Sequence, residues 1–420
     1  MFRRPSGSLS LVLCLVLVLV VSACGSPAPS TAPASGSAPS EGAAGQAAGS
    51  PYKIGFLVAA TGSSSFLGEP ERDAAVMLQK TLAEQGGVVG PDGVRHPVEI
   101  LIQDTQGSGD TAITLANKLI HDEGVVAIVG ATVSPVAMAL LPIVQEAETP
   151  LISMASSSAI VEPVAERFWI FKTAQSNEHT APAQVRYAAS LGVQRIANMY
   201  VNNAYGEDGA IAIRQAAADA GIAIVLEETF DAADTDMTSQ LTKLRASDAE
   251  ALLVTAIPPA AAILTRQYRE MNIDLPLVHN HGIGMQSFID LCGASVAEGV
   301  VFPMGKVIAA DVLPDDDPQH DVLTQFVADY HAAGGAEGMH FAGHAWDGIM
   351  LITQSLETLP DGLAIEEQRA RVRDALETTT EWPGIGGVYR LSAEDHVGMS
   401  AEDIVLVRIT DGQWEYLGSE

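Results

Sequence analysis

Short, unbroken apolar runs recur along this chain, separated by longer stretches in which apolar residues return every third or fourth position. "YKIGFLV" (52–58), "VEILIQD" (98–104) and "VVAIVG" (125–130) are runs of the first kind, bounded by Gly, Ser and Thr. Such runs predict strands covered on both faces. Between them, Ala75, Leu78 and Leu82, then Ala112, Leu115, Ala116 and Leu119, predict helices over about 69–85 and just after 110. The alternation continues with a helix over 135–146 and "PLIS" (150–153). It restarts after "FWIFKT" (168–173) with a helix over 178–190, "RIANMYV" (195–201), a helix to Ala220, and "IAIVLEE" (222–228). A helix over 238–246, "EALLVTA" (250–256), a helix to Met271 and "PLVH" (276–279) complete the second set. Two successive sets of strand-helix units predict two parallel sheets with right-handed crossovers. Helices over 321–332, 341–357 and 364–377, then strands at "GGVYRL" and "DIVLVRIT", follow.

The first residues change the picture. Arg3 and Arg4 precede an apolar stretch from Leu9 to Val21, and small residues Ser22 and Ala23 precede Cys24. The apolar core is too short for a membrane span of about 20 residues and reads as an export signal over residues 1–23. Val21-Ser22-Ala23-Cys24 resembles a bacterial lipobox, which makes Cys24 the lipidated new N-terminus; the alternative is a plain secretory signal with a chance cysteine. Residues 25–50 are Gly, Ser, Pro and Ala with Glu41 as the single charge. They have too little to bury and predict a flexible tether, with a root-mean-square span of roughly 28 Å.

From Pro51 onward the chain is long enough for two lobes. With Cys14 in the signal and Cys24 lipidated, Cys292 alone remains and no disulfide is possible; in "FIDLCGAS" it reads as a buried thiol. The formal net charge is −30, or −32 once Arg3 and Arg4 are removed, and such a surface repels phosphate backbones, so no nucleic acid is expected as partner.

Ligands of open parallel sheets bind beyond the carboxyl ends of the strands, where helix N-termini present unpaired N–H groups. The turns there are rich in Gly, Ser, Thr and Pro. In "GATVSPVAM" (130–138), Ser134 reads as an N-cap and Pro135 as the first helical residue; the hydroxyl either only caps or also faces an anion. "SMASSSA" (153–159) has three adjacent hydroxyls and no bulky side chain, which would let a ligand approach the backbone. "LPLVHNHGIG" (275–284) places His279 and His281 on one side of an extended chain and Asn280 on the other.

The order of "TGSSSFLGEPERDAA", "IVGATVSP", "PLISMASSSA", "FKTAQSNE", "VNNAYGEDG", "HGIG" and "AEGVVFP" resembles the branched-chain amino acid binding family of ABC-transporter substrate-binding proteins, over nearly all of 52–420. The resemblance implies an α/β fold of two Rossmann-like lobes with parallel-rich sheets, joined by three crossovers, with a ligand cleft between them. It implies a monomeric, non-catalytic, extracytoplasmic receptor, lipid-anchored to the membrane, that delivers a small amino acid or carboxylate to ABC permease subunits without a cofactor or metal. Crossovers near 172–175, 302–304 and 388–390 divide the chain into an N-terminal lobe (51–173 plus 304–388) and a C-terminal lobe (174–303 plus 389–420).

Position by position, the resemblance makes Ser134 and Ser157 hydroxyl donors to a ligand carboxylate, with the backbone of Ala155 alongside and Tyr205 over the ligand from the second lobe. Leu67 and Ile257 stand where the family often carries aromatic residues, leaving an aliphatic wall. An acidic residue at the position of His281 meets the ammonium in amino-acid-binding members; an imidazole supplies no compensating charge. The ligand is then a carboxylate lacking an α-amine, or an amino acid whose ammonium finds other acceptors.

Other readings are weaker. His340 and His344 in "HFAGHAW" share a helix face, but the glutamate of a zinc-protease helix is absent. The contiguous His-Asn-His is no nuclease motif, and no G-x-S-x-G elbow, P-loop or Cys-x-x-Cys occurs. Ser134 or Ser157 with His281 would make a hydrolase only with an orienting acid, which is not identifiable. A ligand-sensing regulator or envelope scaffold on the same fold stays open.

Overall fold

The computed structural model describes residues 48–335 and 338–418. The signal, Cys24 and all but the last three residues of the expected tether lie outside the described residues. Those three are already tied to the domain, since the Gly49 N–H donates to Arg95 O at 2.9 Å and Ser50 O lies 2.8 Å from the His96 ring.

In chain order, strands β1 (Tyr52–Val58), β2 (Val98–Asp104), β3 (Ala127–Gly130), β4 (Leu151–Ser153) and β5 (Ile170–Lys172) form one sheet, all parallel, in the order β2-β1-β3-β4-β5. β6 (Arg195–Val201), β7 (Ala223–Phe230), β8 (Ala251–Thr255), β9 (Leu277–His279) and β10 (Val301–Gly305) repeat that order in a second sheet, as β7-β6-β8-β9-β10. β11 (Ile404–Thr410) and β12 (Gln413–Gly418) extend its far edge antiparallel; β12 had no counterpart in the sequence reading.

Helices α1 (Ser65–Gln85), α2 (Gly109–Asn117) and α3 (Ser134–Glu146) follow strands of the first sheet. α4 (Asn177–Ser190), α5 (Ala204–Ala220), α6 (Thr238–Ala246), α7 (Ala260–Glu270) and α8 (Gln286–Cys292) serve the second, and α9 (His320–Ala332), α10 (Met339–Leu356) and α11 (Ile365–Leu376) return to the first. α1 begins four residues before the expected Glu69, because its apolar stripe starts with Leu67, which faces the other lobe. It ends where Gly86 takes φ 77°, a left-handed cap that glycine adopts without steric cost.

β1 shows why continuous apolar runs make central strands. Ile54, Phe56 and Val58 pack with Ala74, Leu78, Phe326 and Ile349 of α1, α9 and α10. Leu57 points the other way, toward Ala112 and Leu140 of α2 and α3. With helices on both faces, the strand is apolar or glycine apart from Lys53 near its start, whose ammonium reaches out to Glu123.

The chain passes from the first sheet to the second at 173–176, between β5 and α4, one residue on from the expected 172–175. The other two crossings differ. β10 runs to Gly305 within the second sheet, so the second crossing lies at Gly305–Lys306 and not at 302–304. Gly305 suits that place, since a Cβ on it would come within 2.8 Å of Gln175 Nε2 and 3.0 Å of the His340 ring. Residues 389–399 stay with the first lobe instead of joining the second. His396 stacks on Phe171 with ring centroids 4.0 Å apart, and its backbone O accepts from Lys172 N at 3.1 Å. The third crossing therefore falls at 400–403, just before β11.

Asp347 of α10 ties these segments together. Its buried carboxyl accepts from the N–H groups of Ile385 and Gly386, each at 2.7 Å, and lies 2.8 Å from the Tyr389 hydroxyl. That hydroxyl is also 2.9 Å from Thr173 O in the first crossing. Burial pushes Asp347 up to about 7. The protonated carboxyl can donate to Tyr389, whose own proton then goes to Thr173 O. Replacing Asp347 by Ala orphans two buried amides, each worth about 1–3 kcal/mol. Asp347→Ala should lower stability by at least about 2 kcal/mol, read in urea as a lower midpoint with unchanged slope.

Candidate functional site

The carboxyl ends of both sheets face each other across a cavity of about 200 Å³. Its walls are the turns after β1, β2, β3 and β4 on one side and after β6, β7, β8 and β9 on the other, with Phe341 and His344 of α10 added. Of the seven residues singled out in the sequence, Leu67, Ser134, Ala155, Tyr205, Ile257 and His281 line this one space. Ser157 does not; Ser156 takes that place.

Local bonding explains the exchange. Ser134 is the first residue of α3 and not its cap; Val133 occupies the cap position without a side-chain bond. The Ser134 Oγ instead accepts from the Ser157 N–H at 3.2 Å, leaving its own proton free to donate at the cavity wall. Behind the serine loop, the buried Lys172 ammonium donates to Ser156 O at 2.8 Å and Ser176 Oγ at 2.7 Å. With its backbone held from behind, the loop turns the Ser156 hydroxyl forward, while the Ser157 Oγ is buried and without a partner. Burial pulls Lys172 down to about 8, against the attraction of Asp208 and Glu178.

In the second lobe Asn203 caps α5, its Oδ1 accepting from the N–H groups of Tyr205 at 3.0 Å and Gly206 at 3.2 Å. This sets Tyr205 in the first helical turn, at the cavity. Its buried hydroxyl has no hydrogen-bond partner, and burial raises its pKa further above the ordinary value. Gly282 packs against it so closely that a Cβ would stand 2.9 Å from Tyr205 Oη and 2.8 Å from Ile257 Cγ2.

The alternation expected for His279 and His281 stops because β9 ends at His279. His279 lies 3.0 Å from Thr265 Oγ1 of α7 and packs on Phe288, inside the lobe. Asn280 turns to α4, donating to Asn177 Oδ1 at 3.0 Å. The next residue is in a 3-10 turn, which swings His281 into the cavity with its Nε2 2.7 Å from Ser156 Oγ. Burial holds His281 well below its ordinary pKa, so it is neutral, and its Nδ1 has no partner.

The Ser156–His281 contact joins one lobe to the other. A second such bond runs from Ser158 N to Asp208 Oδ1 at 3.1 Å, and Leu67 packs with Tyr205, Phe341 and Phe302. The lobes thus meet around the cavity. Ser156 and His281 stand at nucleophile-base distance, and among the described residues His281 Nδ1 has no partner.

Phe341 and His344 come from a helix far along the chain, and local sequence carries no sign that they reach this space. His344 was noticed only as a metal candidate beside His340. The two rings lie edge to face, 4.4 Å between centroids, and among the described residues no group of three His, Cys, Asp or Glu side chains could hold a metal ion. No helix among the described residues is long and apolar enough to cross a membrane.

Ser156→Ala and His281→Ala should each favour separation of the lobes in the ligand-free protein. Their effects should be non-additive by about 0.5–1.5 kcal/mol, measured as populations from distances between labels on the two lobes.

A family model described as periplasmic binding protein matches residues 51–413. The leucine-, isoleucine-, valine-, threonine- and alanine-binding protein of Pseudomonas aeruginosa is 24% identical over 332 residues, covering 78% of this chain and 82% of that protein. An extracellular ligand-binding receptor from Rhodopseudomonas palustris HaA2 superposes with a TM-score of 0.79 at 27% identity, over 87% of this chain and 99% of its own. A branched-chain amino acid transporter substrate-binding protein of Streptococcus pneumoniae, solved with isoleucine, shares the fold with a TM-score of 0.74 at 22% identity, over 88% and 99%. With a matching model across both lobes and this two-sheet architecture, the chain belongs to the periplasmic binding protein family, among the relatives of the Leu/Ile/Val-binding proteins with the type I fold.

Proposed function

We propose that this protein is the extracytoplasmic receptor of an ABC importer, closing its lobes on a small amino acid or carboxylate and presenting the closed form to a membrane permease. The observation that carries the reading is the cavity itself. Its walls come from facing strand ends of both lobes, so a ligand gains contacts from both sides only when the lobes meet. Hydroxyl donors gather near Ser134 and Ser156, while Leu67, Ile257 and Phe341 supply apolar wall for a ligand's other end. The Pseudomonas relative, whose name describes binding of small aliphatic amino acids, supports that size class. The order of the N-terminal residues supports attachment through a lipid on Cys24, with the segment that follows as a tether.

Calorimetry with amino acids and small carboxylates should find a ligand of micromolar or tighter affinity. X-ray scattering should show the protein becoming more compact with it; a tight ligand that leaves the profile unchanged would contradict this account. In cells, palmitate should label the wild type, and Cys24→Ala should abolish the label and release the protein from membranes.

A further inference from the structure

We infer that the ligand is an anion without an ammonium group, a small monocarboxylic acid with an apolar tail, and that the cavity selects against the zwitterionic amino acid of the same shape. This rests on the reading of the protein as a binding receptor and narrows it.

Among the described residues, no Asp, Glu, Lys or Arg side chain lines the cavity. The ionisable groups that do are Tyr205, His281 and His344, and burial keeps all three uncharged at neutral pH. Their exposures are 7%, 2% and 1%, and each has a polar atom with no partner: Tyr205 Oη, His281 Nδ1 and His344 Nδ1. Ser134 keeps a free proton because its oxygen already accepts from Ser157 N–H. Hydrogen-bonding capacity is therefore abundant, and formal charge is absent.

The neighbouring acids do not make good the lack. Glu71 does not line the cavity; it stands behind Thr132, its Oε2 accepting from Thr132 Oγ1 at 2.5 Å, and full burial pushes it well above the usual carboxylate range. Asp208 already accepts from Ser158 N at 3.1 Å and Asn177 Nδ2 at 2.6 Å. An ammonium buried here would lose its hydration with no counter-charge in contact, which disfavours its entry.

For a carboxylate the surroundings are favourable. The N-termini of α3 and α5 both open on the cavity, at Ser134 and Tyr205, and bring the positive ends of two helix dipoles. Lys172 stands directly behind the serine loop. Tyr205 and Ser134 have protons to donate without breaking an existing bond.

The test compares matched pairs in calorimetry at pH 7: leucine with 4-methylpentanoate, valine with 3-methylbutanoate, and phenylalanine with 3-phenylpropanoate. The amine-free acid should bind at least about tenfold more tightly in any pair that binds. Equal or tighter binding of the amino acid would overturn the inference and leave the receptor reading intact. Binding by none of the six, with no compaction in scattering, would count against both. Tyr205→Phe, with thermal melting checked for integrity, should weaken the acid by about tenfold through loss of one donor. His281→Asp should shift preference toward the amino acid; an unchanged ratio in a folded His281→Asp protein would also overturn the inference.

Discussion

Everything at the ligand cavity depends on a close meeting of crossing segments behind it. Two sheets with the same strand order are turned with their carboxyl ends toward each other, and the chain must pass between them where there is little room. Gly305 fits between Gln175 and His340 because it has no side chain. The amides of Ile385 and Gly386 find their acceptor in Asp347, and Tyr389 extends that bonding to Thr173.

The same economy of charge governs the cavity. A fully buried ammonium, Lys172, is placed behind the serine loop, where backbone oxygens and Ser176 satisfy it, and no charged side chain among the described residues lines the cavity. Neutral imidazoles and hydroxyls there can give or accept a bond according to what enters. They also bond to each other across the gap, as Ser156 does with His281. A ligand must replace that contact with better ones.

Much of the architecture was legible because two-sided burial leaves a plain mark. β1, β2 and β6 appear in the sequence as apolar runs with nearly the observed limits. Six of the seven singled-out residues share one cavity because strand-to-helix turns at carboxyl ends converge by geometry, whatever their composition. Ser157 and Ser156 could not be told apart, since the choice was made by Lys172 and Ser134 bonding to the loop's backbone from outside it. His279 and His281 do not share a side as strand alternation predicts, because the strand ends at His279 and only His281 reaches the cavity.

The sequence by itself determined which segments become strands and helices, and that their ends gather polar turns, because burial periodicity and turn chemistry are local properties of the chain. Only the tertiary structure decided where the chain changes lobes, which serine faces the cavity and that Phe341 and His344 line it. Those outcomes depend on contacts between residues far apart in sequence, such as His396 on Phe171 and Gly305 against His340, and no local pattern encodes them.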